Sequence, residues 1–276
     1  MGTGIGDACR RRANSIGDIV TEENIHWDVT GAIARIVIDR PAKLNTVTPA
    51  MGAELMNLVH RVNGDDDVRV VILSGVGERS FSAGSDVSAL DDYGTNWQLR
   101  NRVDYARAIW AMRKPVISKI RGYCIGGGLE MALMSDLRYC DETAQFGAGE
   151  IKLGWHGGAG NTQLLPRVTG PGIALEMLLT GDLISAEEAL RVGLVQRIYP
   201  TTALDDEVEG IAERISRSAP IAAELAKHLV RISQSTSLDV GLAYENDTFT
   251  YCFTTEDSKE GRQAFAEKRP PNFRGQ

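Results

Sequence analysis

"CIGGGLEMALMSDLRYC", residues 124–140, sets three consecutive glycines between a short apolar stretch and an apolar run that carries one acid, Glu130. The pattern reads as a strand that passes directly into a helix. The first N–H groups of a helix have no acceptor inside it and lie at the positive end of its dipole. Glycine permits the sharp turn with positive φ and lets a ligand oxygen approach those N–H groups without meeting a Cβ. Gly126, Gly127 and Gly128 therefore mark a place for a phosphate or for an oxyanion that develops during a reaction. Neither GxxxxGK[ST] nor GxGxxG fits this stretch, which leaves the oxyanion. On the run alone, close packing of a helix against a strand competes with that reading.

A second loop offers the same kind of donor. In "FSAGSD", residues 81–86, a strand ends in small residues and Asp86 stands where a helix can start, so the N–H of Ser85 is expected to point into the same cleft. Two such loops, each after a buried strand of one sheet, supply a donor pair for an enolate oxygen, each donor being worth about 3 to 4 kcal/mol.

Around these loops, strand and helix signals alternate. "NIHWDVT" (24–30) and "AIARIVIDR" (32–40) flank Gly31 with β-branched residues and read as a hairpin. Thr48 caps and Pro49 opens a helix whose Met51, Leu55, Leu58, Val59 and Val62 share one face. "VRVVIL" (68–73) and "VISKI" (116–120) read as buried strands. A helix with Ala106, Ile109 and Trp110 on one side stops before Pro115, and "LRYC" (137–140) and "AQFG" (144–147) are short strands. From His156 onward helical signals dominate. "SAEEALRVG" (185–193) has a Ser cap, Glu188 three residues on and a closing Gly, the capping-box arrangement, and three or four helices follow Pro200, Pro220 and Leu238. The order predicts a polar arm at 1–20, an α/β part at 21–200 and a helical part at 201–276. The last is too short to bury a large core alone and is expected to pack on the α/β part or on a neighbouring subunit.

The 276 residues hold 30 Lys and Arg against 37 Asp and Glu, a net charge of −7. That balance opposes nonspecific attraction to nucleic acid or anionic lipid, so any phosphate-bearing ligand has to be held locally. With 43% hydrophobic and 24% charged residues, and no apolar run near the roughly 20 residues of a membrane span, the composition predicts a soluble globular protein with no membrane partner. Cys9, Cys124, Cys140 and Cys252 form no CxxC pair and no secretory leader is recognisable, so a reducing cytoplasm is the expected setting. The Arg-rich "ACRRRANSIG" (8–17) lacks a clear apolar helical face and reads as a solvated arm.

At this point the chain resembles the crotonase, or enoyl-CoA hydratase/isomerase, superfamily. The likeness runs in order through "RPAKLN" (40–45), "FSAGSDVSAL" (81–90), "GYCIGGGLEMALMSDLRYC" (122–140) and "AQFGAGEIKLG" (144–154). It continues in "TGDLISAEEALRVGLVQRIYP" (180–200) and "EDSKEGRQAFAEKRPPNF" (256–273). The resemblance implies an α/β crotonase-like spiral of repeated ββα units with a C-terminal helical trimerisation subdomain, assembled as a homotrimer or a dimer of trimers. It implies an acyl-CoA substrate, no metal, and no separate cofactor, since coenzyme A is part of the substrate. It puts the oxyanion hole on the backbone N–H groups of Ser85 and Gly127 and the two hydratase carboxylates on Glu130 and Glu150. Coenzyme contacts fall on Lys43, Leu44, Ala83, Asp86 and Val87. Phe265 and Lys268 resemble residues that close the acyl or nucleotide end of their own or a neighbour's site.

The chemistry of the pair agrees. Adding water across a double bond conjugated to a thioester needs one group to hold and deprotonate the water and another to deliver a proton to the α-carbon. Two carboxyls around one water do both, because neighbouring like charges raise one pKa and keep that acid protonated. Glu130 is assigned to the water and Glu150 to the α-proton. The expectation is hydration of 2-enoyl-CoA thioesters in fatty-acid or related acyl-CoA degradation. Its rivals are a double-bond isomerase, and a decarboxylase or thioester hydrolase on the same scaffold. A serine hydrolase built on Ser85 is disfavoured, because there is no GxSxG elbow and His26, His60, His156 and His228 form no base motif. The net charge argues against a non-catalytic RNA-binding relative. Three departures stand out. Trp155 and His156 follow Gly154 where the family has small residues and Pro, "LDDYGTNWQLRNR" (90–102) puts Tyr93 and Trp97 at the acyl end, and Gly149 replaces the Pro of many hydratases. A lone His such as His156 reads first as a packing or capping residue.

Overall fold

The structure is a computed structural model that describes residues 24–276; the arm at 1–20, with its Arg-rich stretch and Cys9, lies outside the described residues. β1 (Asn24–Thr30) and β2 (Ile33–Asp39) turn at Gly31, whose φ is 59°, and pair antiparallel from Asn24↔Asp39 to Thr30↔Ile33. In α1 (Pro49–Asn63) the Thr48 hydroxyl accepts from Met51 N at 3.2 Å and the five apolar residues of the expected face are all buried.

From there the chain repeats one unit. β3 (Val70–Gly75) and β4 (Ser80–Ser82) lead to α2 (Asn96–Arg100) and α3 (Tyr105–Trp110). β5 (Val116–Ile120) and β6 (Tyr123–Ile125) lead to α4 (Gly127–Met134), and β7 (Leu137–Asp141) and β8 (Gln145–Gly147) lead to α5 (Asn161–Thr169) and α6 (Pro171–Thr180). The last turn runs β9 (Ile184–Ser185), α7 (Ala186–Arg191) and β10 (Arg197–Tyr199). One strand of each unit joins a six-stranded sheet ordered β1-β2-β3-β5-β7-β10, the other a four-stranded sheet ordered β4-β6-β8-β9. Between successive units the pairing is parallel, Val71 against Val116 and Ile117 against Leu137 in the large sheet, Tyr123 against Gln145 in the small one. This is the ββα spiral.

The large sheet is covered on both faces. Val71 and Leu73 of β3 face the main core with Leu55, Phe81, Ile109, Leu129 and Phe146, while Val70 and Ile72 face a second cluster. That continuous apolar run is what a parallel strand buried on both sides requires. The second cover is α8 (Leu204–Ser216), which buries Leu204, Val208, Ile211 and Ala212 against Ile33, Ile72 and Ile117.

The region after His156 holds two strands among its helices. β9 and β10 are too short to carry a local signature and exist because they complete open edges, Ile184 against Phe146 and Arg197 against Tyr139. At the start of α7 half of the capping box forms. The Ser185 hydroxyl accepts from Glu188 N at 3.3 Å, while the Glu188 carboxylate turns to Arg191 at 2.6 Å.

α9 (Pro220–Ser233), α10 (Leu238–Thr254) and α11 (Glu256–Glu267) complete the chain, and no helix of the described residues is long and apolar enough to cross a membrane. α9 is tied to the spiral by charge. Asp136, just after α4, accepts from Lys227 Nζ at 2.7 Å, from Arg231 Nη2 at 3.1 Å and from Val116 N at 2.8 Å. Arg231 also donates to the Met134 carbonyl at 3.2 Å and lies 4.0 Å from the centroid of the Trp110 ring. Burial of Lys227 pushes its pKa down to about 8 against the pull of Asp136. Asp136→Ala leaves two buried cations uncompensated and is expected to cost about 3 to 5 kcal/mol. Urea unfolding checks it, with Asp136→Asn, which keeps an acceptor for Val116 N, losing less.

Candidate active site

The three glycines meet three separate demands. Gly126 has φ 56° and ψ −126°, a combination essentially confined to glycine. A Cβ on Gly127 would lie 2.0 Å from the Tyr105 hydroxyl oxygen, and one on Gly128 would lie 2.0 Å from the Ser82 carbonyl oxygen. From the other side, a Cβ on Gly84, at φ 87°, would lie 2.5 Å from Gly127 N. The 82–85 loop and the start of α4 are therefore in backbone contact, because β4 and β6 are neighbours in the small sheet. Neither Ser85 N nor Gly127 N donates to an acceptor among the described residues. The run is closely packed and also presents an N–H group, that of Gly127, with no acceptor among the described residues.

The two acids converge on the same place. α4 carries Glu130 one turn in, and its Oε1 accepts from Ala159 N at 2.7 Å and from Asn161 N at 3.3 Å. Glu150 lies in a 3₁₀ turn over Gly149–Leu153, and its Oε1 accepts from Asn161 Nδ2 at 3.0 Å. Asn161 Nδ2 also reaches the Gly126 carbonyl at 3.3 Å. One fully buried asparagine thus touches both acids and the glycine turn. Glu150 Oε2 and Asn161 Oδ1 are buried with no hydrogen bond among the described residues. A Cβ on Gly157 would lie 2.9 Å from Glu130 Oε1, so the second glycine-rich turn is held open for that carboxylate.

Burial pushes the Glu130 carboxyl up to about 7; its two backbone donors pull the other way and the charge of Glu150 adds to the rise. Burial also pushes Tyr105 well above the ordinary phenol range, so its hydroxyl stays protonated. That hydroxyl lies 2.9 Å from Ser85 Oγ. The partner of Ser85 Oγ is a tyrosine and not a histidine, which removes the serine-hydrolase geometry. The pair of N–H donors with two carboxyls one turn away can stabilise a thioester enolate and move protons beside it.

The other candidates fall in two groups. Leu44 and Ala83 are backbone neighbours, Ala83 N donating to Leu44 O at 2.9 Å, and Val47 N donates to Gly84 O at 2.7 Å. Asp86 accepts from Arg40 Nη1 at 2.7 Å and from Ser88 N at 3.1 Å. The Ser88 hydrogen bond and then Arg40 hold its carboxyl below the usual range. It locks the 40–45 segment to the Ser85 loop. Lys43 and Val87 are exposed at the rim. Phe265, 87% exposed, and Lys268 lie on and just after α11 and make no contact with the carboxylate pair. His156 is exposed, with Nδ1 2.8 Å from the Gly157 carbonyl, and touches neither acid.

The model of the family described as Enoyl-CoA hydratase/isomerase matches residues 28–276. This chain belongs to the enoyl-CoA hydratase/isomerase family. Among relatives, it is 38% identical over 251 residues to an (E)-benzylidenesuccinyl-CoA hydratase of Thauera aromatica, covering 90% of this chain and 98% of that one. It is 38% identical over 256 residues to a crotonyl-CoA hydratase of Syntrophomonas wolfei, covering 91% and 98%. The crystal structure of an enoyl-CoA hydratase from Bacillus anthracis superposes with a TM-score of 0.87 at 36% identity, covering 92% of this chain and all of that one.

Sequence reading of this family member missed Asn161 and Tyr105. Asn161 follows a glycine-rich stretch at a helix start, where asparagine has an ordinary capping explanation. Tyr105 sits off the apolar face set by Ala106 and Ile109, and only the fold brings it over Gly127.

Two measurements test this geometry. Gly127→Ala drives a methyl into the Tyr105 hydroxyl and should cost about 1 to 3 kcal/mol in urea unfolding. Adding Tyr105→Phe should recover only part, since ring Cζ at 3.1 Å and Gly84 Cα at 3.2 Å remain in the way. The second concerns Glu130. A carboxyl whose folded pKa is about 7, above its ordinary 4.5, binds its proton more tightly in the fold. The stability this supplies is present below about pH 4.5 and is lost as pH rises through about 7. Glu130→Gln cannot ionise, so its unfolding free energy should gain on wild type by up to about 3 kcal/mol from pH 5 to pH 8. A difference that stays flat with pH contradicts the burial of the carboxyl.

Proposed function

We propose that the protein hydrates 2-enoyl-CoA thioesters to 3-hydroxyacyl-CoA in acyl-CoA degradation, with Glu130 and Glu150 as its catalytic residues. The observation that carries the reading is a pair of carboxyls, Glu130 buried and Glu150 half-buried with its Oε2 enclosed, joined through Asn161 and set beside two N–H groups without an acceptor among the described residues. The named activities of the two relatives and of the Bacillus anthracis protein, all hydratases, support it.

The thioester oxygen takes hydrogen bonds from Ser85 N and Gly127 N, which strengthen as negative charge moves onto it from the β-carbon. Water is held between the carboxyls, and Glu150 Oε2 has the free lone pairs to accept from it. Burial favours the protonated form of Glu130 in the free protein, and from that form the proton passes across this water to Glu150, leaving Glu130 ionised. The new C–O bond forms at the β-carbon while Glu130 takes a proton from the water. The enolate then collapses, and the α-carbon takes the Glu150 proton. One water adds, and the pair ends with Glu130 protonated as it began. Coupled carboxyls hold that single proton as a unit. Thioester and water are the only reactants, so the reading calls for no metal and no separate cofactor. An isomerase would need one carboxylate and no water, and a buried acid oxygen without a partner favours the water.

In this reading coenzyme A runs over the 40–45 and 83–87 segments, with Lys43, Leu44, Ala83 and Val87 along it and Asp86 fixing the two segments together. The adjacent backbones of Leu44 and Ala83 support that path. Phe265 and Lys268, which make no contact with the pair, close the acyl or nucleotide end of their own or a neighbouring subunit's site. α10 buries only Thr248 and exposes Leu238, Val240, Phe249, Tyr251 and Phe253, which supports a homotrimer or dimer of trimers, and the free thiols of Cys124, Cys140 and Cys252 support a cytoplasmic setting.

Loss of the conjugated-thioester absorbance of crotonyl-CoA tests the activity. Glu130→Gln and Glu150→Gln should each lower kcat by about 10²- to 10⁴-fold, and the double variant by little more than the worse single one. Full activity in either single variant refutes the pair. If crotonyl-CoA and longer, branched and aromatic 2-enoyl-CoA esters are all left unchanged, the isomerase or the decarboxylase and hydrolase alternatives replace hydration.

A further inference from the structure

Arg102 lies between α2 and α3, in the 90–102 element, and is half-buried. Its guanidinium packs on the turn that holds Glu130, with Nη2 2.9 Å from where a Cβ on Gly158 would stand. Nη1 donates to the Leu99 carbonyl at 3.0 Å, which uses one of the five guanidinium donors. No carboxylate pairs with it among the described residues. A small cavity of about 20 Å³ is lined by Arg102 together with Ser85, Tyr105, Leu90, Tyr93 and Val103. Arg102 is the single basic side chain in that lining, and the single acid, Asp86, is already bound to Arg40. Arg102 and Tyr105 line the same cavity, and the turn on which Arg102 packs donates to Glu130 from Ala159 N at 2.7 Å.

A partly desolvated guanidinium without an anion is a costly feature, and its planar fork matches a carboxylate in two parallel hydrogen bonds. The direction of the substrate supplies the anion. With the thioester oxygen at Ser85 and Gly127 and the double bond between Glu130 and Glu150, the acyl group continues past Glu130 toward the 157–159 turn and Arg102. A pocket holding two acids in a chain of net charge −7 repels an acidic tail unless a local cation meets it. Among apolar Leu90, Tyr93 and Val103, one guanidinium is that cation.

We infer that Arg102 binds a carboxylate at the far end of the acyl group, so that the preferred substrates are monothioesters of unsaturated dicarboxylic acids. The inference rests on the hydratase reading for the direction in which the acyl group runs. Two 2-enoyl-CoA esters of equal chain length test it, 2-hexenoyl-CoA and 2,3-dehydroadipyl-CoA, which differ in a terminal methyl against a terminal carboxylate. Wild type should favour the acid by roughly 10- to 100-fold in kcat/KM, the worth of hydrogen bonds to a charged group. Arg102→Gln should abolish that ratio by lowering turnover of the acid far more than that of the hexenoyl ester, and Arg102→Lys should restore part of it. Equal kcat/KM in wild type, or an equal fall for both esters in Arg102→Gln, overturns the inference. Calorimetric binding of the saturated adipyl-CoA and hexanoyl-CoA separates the two readings. If neither enoyl ester is hydrated but adipyl-CoA binds wild type more tightly in an Arg102-dependent way, hydration fails and the carboxylate subsite stands. Equal binding of the two saturated esters removes the subsite whatever the turnover.

Discussion

The close approach of two backbones, Gly84 over Gly127, is the constraint on which the rest of the site depends. It exists because β4 and β6 lie side by side in the small sheet, so that the loop after one strand and the helix start after the other emerge together. A Cβ on Gly84 would lie 2.5 Å from Gly127 N and force the two apart, while one on Gly127 would lie 3.2 Å from Gly84 Cα and meet the Tyr105 hydroxyl first, at 2.0 Å. Two donors from positions 42 residues apart in the chain thereby become one feature. Nothing in either loop alone makes an oxyanion site; the repeat does.

The acids depend on the same contact through Asn161. Its side chain joins Glu150 to the carbonyl of Gly126, and its backbone N–H meets Glu130. The residue that orients the two carboxyls is thus bonded to the glycine turn that opens α4. Preorganisation of this kind keeps charges and dipoles fixed before substrate arrives, which is where most of the electrostatic contribution to catalysis resides.

Much of this was legible in the residues, and the gaps have physical causes. The hairpin, the face of α1 and the glycine turn announce themselves locally, through alternation, helical spacing and the cost of crowding a helix start, whereas Glu130 and Glu150 stand out only through the resemblance to the family. The strands β9 and β10 do not, because two or three residues become a strand only when an edge is there to pair with. Tyr105 and Arg102 were passed over for a related reason. Each has an unremarkable local explanation, and only the three-dimensional neighbours, Gly127 for one and the 157–159 turn for the other, give it another meaning. Asp86 shows the converse, a residue singled out by its motif whose carboxylate is engaged by Arg40 and Ser88.

α4 is eight residues long, about 12 Å from end to end. Its first turn presents Gly127 and Glu130, and its last carbonyl, that of Met134, is gripped by Arg231 from α9, with Asp136 clamped between Lys227 and Arg231 just beyond. A rod this short transmits a tilt without bending. The helical part of the chain therefore has a mechanical grip on the first turn of α4, and whatever shifts α9 re-aims Gly127 and Glu130 together, as one lever.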